Sequence, residues 1–230
     1  MKLVLTCEHG GNHIPEGLKP CFKNQESVLN THRGYDIGAL DMFRTLQPLA
    51  NYSKYSKTSR LLIELNRSLH HHNLFSEFTK GLPKTAKLQL IDHYYLPYRN
   101  AVEKTIKHWI ANGETVLHLS VHSFTPILNG EERHCDIGLL YDSRHTEEKA
   151  FCVQFKKALL LQNPELNVRY NFPYLGKADG FTTYLRKQFG KNYLGIELEI
   201  NQKYASGNQF PEELKSGLVL TLKLLLNIRA

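Results

Sequence analysis

The sequence has no long apolar run: nothing in its 230 residues approaches the roughly 18 to 20 consecutive apolar positions that cross a bilayer. Residues 218–226 come nearest, but the stretch is short and Lys223 interrupts it, so it reads as a packing helix. Paired cysteines are missing too. Cys7, Cys21, Cys135 and Cys152 are scattered without a CxxC spacing, which argues against a disulfide framework and a structural zinc knuckle. No charged-then-apolar leader precedes the first apolar run, and a cytoplasmic location is expected. Repeats, low-complexity segments and long linkers are absent, so residues 1–230 read as a single domain. The formal charge of +7 raises the question of nucleic acid, yet lysines and arginines are spread along the chain and no nucleic-acid motif occurs. A basic surface that favours small anionic substrates is the simpler reading, with neither nucleic acid nor membrane as a partner.

What is present is an alternation of short apolar runs and amphipathic stretches. Leu3 to Leu5 is long enough for a buried strand and too short for a helix. It runs into Cys7-Glu8-His9-Gly10-Gly11, where two glycines free the backbone for sharp or positive-φ conformations on a loop that can bring backbone close to a ligand, and Ile14-Pro15 forces an extended exit. Residues 34–49 show a helical spacing of apolar positions, with Asp36 in the first turn, where a carboxylate complements the helix dipole. Residues 60–65 read as a second buried strand ending in Asn66-Arg67-Ser68, followed by His70-His71-His72, a run that reads as solvated with at most one site residue. A long helical region, 84–111, is broken or kinked at Pro97. Further strands are expected over 115–121, 135–141, 166–170 and 193–200, and helices over 147–161, 181–189 and 211–228. Strands alternating with helices predict an α/β sandwich with a mostly parallel sheet.

Polar chemistry recurs at the strand ends: Glu8 with His9, Asn66 with Arg67, His122 with Ser123, and Glu197 with Glu199. In open α/β sheets that edge is where ligands bind. Two imidazoles and a carboxylate suit a catalytic zinc with one open position, a further carboxylate suits a general base, and an arginine suits a two-pronged hold on a substrate carboxylate. His118 and His122 have the helical metal-pair spacing, but on a strand four residues span about 13 Å, so they cannot share an ion. Glu197 and Glu199 point to one face of their strand, and a buried carboxylate without a partner is costly, which marks at least one as functional.

Six blocks then occur in order: CEHGGNHIP from Cys7, GYDIGA from Gly34, SRLLIELNRS from Ser59, VHSFTP from Val121, NFPY from Asn171 and IELEINQ from Ile196. In this ordered set the chain resembles the N-formylglutamate amidohydrolase family over nearly its whole length. The resemblance implies a three-layer α/β sandwich with a mostly parallel mixed sheet, like that of the zinc carboxypeptidases and phosphorylase-hydrolase-like proteins. It also implies one zinc ion at the carboxyl edge and hydrolysis of the amide of an N-acyl amino acid such as N-formylglutamate. On the matching positions His9 and His122 are expected to hold the metal, and Glu199 to act as the base that activates water. Arg67 is expected to clamp the substrate carboxylate. Either Arg67 or Arg60 is expected to help stabilise the oxyanion, with Asn66, Asn171, Tyr174 and Asp179 bordering the substrate. The carboxypeptidase-like pattern has a glutamate three residues after the first histidine, and here that position is Asn12. The carboxylate ligand must come from elsewhere, with Asp36 the first choice and Glu8 the second. The departure at Asn12 also leaves a rival, a non-catalytic ligand-binding protein on the same scaffold.

Overall fold

A computed structural model describes residues 1–228. The first apolar run is strand β1 (Lys2–Cys7), buried from Leu3 onwards. Helix α1 (Ala39–Leu46) is shorter than the apolar periodicity suggested, because Gly38 takes a left-handed φ of 82° and delays its start. Asp36 therefore precedes the helix, and the expected role in its first turn gives way to one in the cleft described below. A short strand, β2 (Tyr52–Tyr55), follows and pairs in parallel with β1.

Residues 60–65 are not a strand. Their apolar side chains Leu61, Leu62, Ile63 and Leu65 are buried, but the backbone turns on itself, Leu62 N bonding Ser59 O at 2.9 Å. Carbonyls that a sheet neighbour would have taken accept instead from the hydroxyls of Ser76 and Thr79. A short apolar run reports burial and leaves the backbone form open. The helical region that follows is α2 (Lys84–Leu90) and α3 (Leu96–Ala111), joined by a wide turn over Ile91–Tyr95. Pro97 lacks the N–H that would close the preceding turn, which loosens there.

The rest of the chain supplies β3 (Val116–Phe124), a small hairpin of β4 (Ile127–Leu128) and β5 (Glu131–Glu132), and β6 (Ile137–Leu140). Helix α4 (Thr146–Gln162), β7 (Val168–Tyr170), α5 (Phe181–Phe189), β8 (Tyr193–Asn201) and α6 (Glu212–Leu226) complete it. The main sheet has the order β2-β1-β3-β8-β6-β7, parallel throughout except where β6 runs against β8. Its two faces pack separate cores. Leu3, Leu5, Leu119 and Val121 meet Phe43, Phe155 and Leu218 of α1, α4 and α6. Val4 and Val116 meet Tyr98, Val102, Phe181 and Leu185 of α3 and α5 on the other side. The result is the expected three-layer α/β sandwich with a mostly parallel mixed sheet. The chain passes from β1 to β2 on one side and then crosses back to β3 on the other side of β1, so β1 and β3 flank the point at which strand order reverses. That point is where open α/β sheets bind ligands.

Candidate active site

His9 lies just beyond the end of β1. The loop behind it needs glycine: a Cβ on Gly11 would sit 2.7 Å from the Lys57 carbonyl, so the two segments approach too closely for any side chain. The positive φ expected of Gly10-Gly11 is found at neither; close backbone approach is what these glycines permit. Asp36 is drawn to the same place by its backbone, whose N–H donates to His9 O at 2.9 Å. His122 comes from the carboxyl end of β3 and Glu199 from β8 beside it, the two being register partners across parallel strands.

Two imidazoles and one carboxylate converge here. His122 Nδ1 lies 2.9 Å and His9 Nδ1 3.3 Å from the same atom, Asp36 Oδ2. One donor atom from each of the three residues falls within 4.8 Å of the others, all three side chains being buried. Burial alone would push the Asp36 carboxyl up, but His9, His122 and Arg60 outweigh it and hold the group well below its ordinary value. Both histidines move the other way. Burial opposes their charge, yet Asp36 with Glu64 raises His9, and Asp36 with Glu8 raises His122. Protons thus crowd where a divalent cation would replace them, and the donor set of two nitrogens and an acidic oxygen fits such an ion.

Glu199 borders the same cleft. Its Oε2 is buried without a hydrogen-bond partner among the described residues. Burial pushes its carboxyl up to about 7; His122 pulls it down, while Asp36 and Glu197 reinforce the rise. Glu197 faces the cleft too, accepting from Thr182 Oγ1 at 3.0 Å. The cavity between them is about 280 Å³, enough for a small organic acid.

The remaining expected residues divide. Arg67 lines the cleft and donates through Nη1 to the Asp179 carbonyl. Asn66 and Asp179 line it as well, but their side chains tie loops together: Asn66 Oδ1 accepts from Phe181 N at 2.7 Å and Asp179 Oδ2 from Ser68 N at 3.0 Å. Tyr174 forms an outer wall, its hydroxyl accepting from Arg133 at 3.1 Å. Arg60 lies in the cleft but is committed, through Nε to Glu64 at 2.9 Å and through Nη1 to Asp36 at 3.2 Å. Asn171 is a correction. Its Oδ1 accepts from Tyr141 N at 3.1 Å and Gly176 N at 3.0 Å, which fixes a turn, and it does not line the cleft. Glu8, the second choice for the carboxylate ligand, lies on the wrong side of His122, against Nε2 at 3.2 Å and away from Asp36. His118 is spent on Thr6 Oγ1 at 2.7 Å and Tyr193 OH at 2.6 Å, and burial lowers it to about 4.

Glu64 was not anticipated. Its carboxylate meets His9 Nε2, and Arg60 with His9 holds it well below its ordinary value against the effect of burial. A carboxylate inside the apolar run Leu61–Leu65 was the available clue, since a buried charge needs partners.

The fold and cleft define a class: an α/β protein with a candidate metal-binding site at the carboxyl edge of a mixed sheet. The family model for N-formylglutamate amidohydrolase matches residues 1–205, and the chain belongs to that family. Among solved structures, a gene product of Agrobacterium tumefaciens is similar at 23% identity and a TM-score of 0.77, over 99% of this chain and 91% of that one. The N-formylglutamate amidohydrolase of Ralstonia eutropha is similar at 18% identity and a TM-score of 0.68, over 100% of this chain and 94% of that one. At these identities the likeness carries the fold alone. No curated protein matches the sequence.

Proposed function

We propose that this chain is a cytoplasmic, zinc-dependent amidohydrolase, one domain over residues 1–230, that cleaves the amide of a small anionic N-acyl amino acid such as N-formylglutamate. The observation that carries the reading is the convergence of His9, Asp36 and His122 beside Glu199, a buried carboxylate with an unpartnered oxygen. Family membership supports the same class of reaction.

His9 Nδ1, His122 Nδ1 and an Asp36 oxygen would hold the ion. A zinc ion held there supplies Lewis acidity and makes water acidic enough to ionise near neutral pH. Glu199, with a carboxyl pushed up to about 7, accepts a proton from the attacking water and returns it to the departing nitrogen. Arg67 has donors beyond its single bond to Asp179 and fixes the substrate carboxylate in a two-pronged grip. Arg60 is bound to Asp36 and Glu64, so its part is to hold those carboxylates in place. Asn12, the departure that favoured a non-catalytic protein, bonds Asn30 at 2.9 Å and does not line the cleft. Asp36 fills the carboxylate role instead.

The test is hydrolysis of N-formyl-L-glutamate and a panel of other N-acyl amino acids, with chelator and with zinc restored. Turnover that chelator abolishes and zinc restores is expected for at least one of them. Turnover indifferent to chelator would overturn the metal's role, and metal-loaded protein inert to the whole panel would overturn the substrate class.

A further inference from the structure

Each of the two site histidines presents Nδ1 to Asp36, and each presents Nε2 to a second buried carboxylate. We infer that Glu64 and Glu8 are positioning residues, which fix His9 and His122 in the tautomer that carries the proton on Nε2 and leaves Nδ1 free to bind metal. The inference rests on the proposed metal site and adds to it two residues that hold no metal themselves.

The hydrogen-bond inventory carries it. Around Glu8, Tyr98 OH donates to Oε1 at 3.1 Å and Ser120 Oγ donates to Oε2 at 2.5 Å. Ser120 has one hydroxyl proton, and Glu8 takes it. The Ser120 oxygen, 2.9 Å from His122 Nε2, therefore has only lone pairs to offer that nitrogen. Glu8 Oε2, 3.2 Å away, offers the same. Two acceptors facing one ring nitrogen require the proton to be on it. Glu64 imposes the same condition on His9. Its Oε1 accepts from Asn66 N at 3.0 Å and its Oε2 from Arg60 Nε at 2.9 Å, so it acts as an acceptor throughout. Its remaining neighbour is His9 Nε2, which must then donate.

The chain builds these two contacts from unrelated parts. Glu8 directly precedes His9 in sequence yet serves His122, 3% exposed on the neighbouring strand, across the β1–β3 pairing. Glu64 reaches His9 because residues 60–65 turn where a strand would have run on. A carboxylate behind a ligating imidazole fixes ring orientation and raises ligand basicity, and its loss ordinarily weakens metal binding about ten- to hundred-fold.

The experiment is zinc titration of metal-free wild-type, Glu8→Gln and Glu64→Gln proteins against a chromophoric chelator. It is joined to long-range proton–nitrogen NMR of the histidine rings in the zinc-loaded wild type. Each variant is expected to bind zinc about ten- to hundred-fold more weakly, and both rings to show Nε2–H with Nδ1 unprotonated. Wild-type affinity in both variants, or Nδ1–H in either ring, would overturn the inference. The spectrum needs no variant, so it decides even where a substitution unfolds the chain. A wild type that binds no zinc would fail the proposed function separately. The tautomers are then read in metal-free Asp36→Ala protein, which lacks the competing acceptor at Nδ1, at a pH where both rings are neutral; there Nε2–H sustains the positioning role and Nδ1–H ends it.

Discussion

Glu199 is the residue on which the proposed chemistry turns. Its buried, unpartnered oxygen and its carboxyl near 7 suit a group that must take up and release a proton at neutral pH. Glu199→Gln keeps the shape and removes the proton acceptor. Its kcat should fall by about 10² to 10⁴ while bound zinc stays near the wild-type level, as steady-state rates and metal analysis on one preparation would show. Near wild-type turnover in that variant would take Glu199 out of the mechanism. At this scale much was legible in the sequence. His9, His122 and Glu199 lie at strand ends; the strand sequence marks Glu197 and Glu199 as a pair of carboxylates on one face, and the family resemblance selects Glu199. Glu64 is likewise a carboxylate among apolar residues, inside Leu61–Leu65, but a strand over 60–65 gives it no route to His9. The geometry needed to choose Asp36 over Glu8 is a matter of which side of an imidazole each occupies, and no spacing encodes that.

Elements set the precision of the cleft. Gly138 on β6 faces Glu199 on β8 across the antiparallel pair. A Cβ there would lie 2.1 Å from the Phe172 carbonyl and 3.2 Å from Glu199 Cβ, so the loop after β7 and the base itself would have to move. Gly138→Ala should cost about 1 to 3 kcal/mol in urea unfolding and also lower kcat. A variant as stable and as active as wild type would show that this crowding is relieved elsewhere. Strands buried on both faces, such as β3 and β8, were found to within a few residues because their apolar runs leave little choice. β2 went unseen: Tyr52–Tyr55 is a half-exposed four-residue edge strand with no apolar run to mark it. Residues 60–65 failed in the opposite sense, having the burial of a strand without its hydrogen bonds. That turn is also what brings Glu64 against His9 and Arg60 to the cleft, and side-chain hydroxyls from Ser76 and Thr79, distant in sequence, complete it.

Across the whole molecule the charged cluster should govern how metal-free protein responds to pH. Glu8, Asp36 and Glu64 have folded pKa values below their ordinary 4.5, 3.8 and 4.5, so their stabilisation is present above those values and lost as pH falls. His118, kept neutral by burial, adds to the loss as pH falls from its ordinary 6.5 to about 4, where the unfolded chain takes up a proton that the folded one does not. His9 and His122 are raised above 6.5, so their contribution is complete below that pH and is lost as pH rises through their folded values. Glu199, pushed up to about 7, adds a loss as pH rises from its ordinary 4.5 to about 7, where the unfolded carboxyl ionises before the buried one. Thermal unfolding of metal-free protein should therefore show greatest stability in weakly acidic solution. Zinc, which binds neutral imidazole, should move that optimum upwards; an optimum that zinc leaves unmoved would contradict the proposed ligands. The central claim is that His9, Asp36 and His122 hold a catalytic metal. It is tested most directly by the metal content of untagged wild-type protein beside His122→Ala, each then assayed for hydrolysis of N-formyl-L-glutamate and related N-acyl amino acids. Near-stoichiometric zinc with turnover in the wild type, and loss of both together in the variant, is the predicted result. Wild-type protein that takes up no transition metal even after reconstitution, or His122→Ala protein that keeps its metal and its activity, would contradict it.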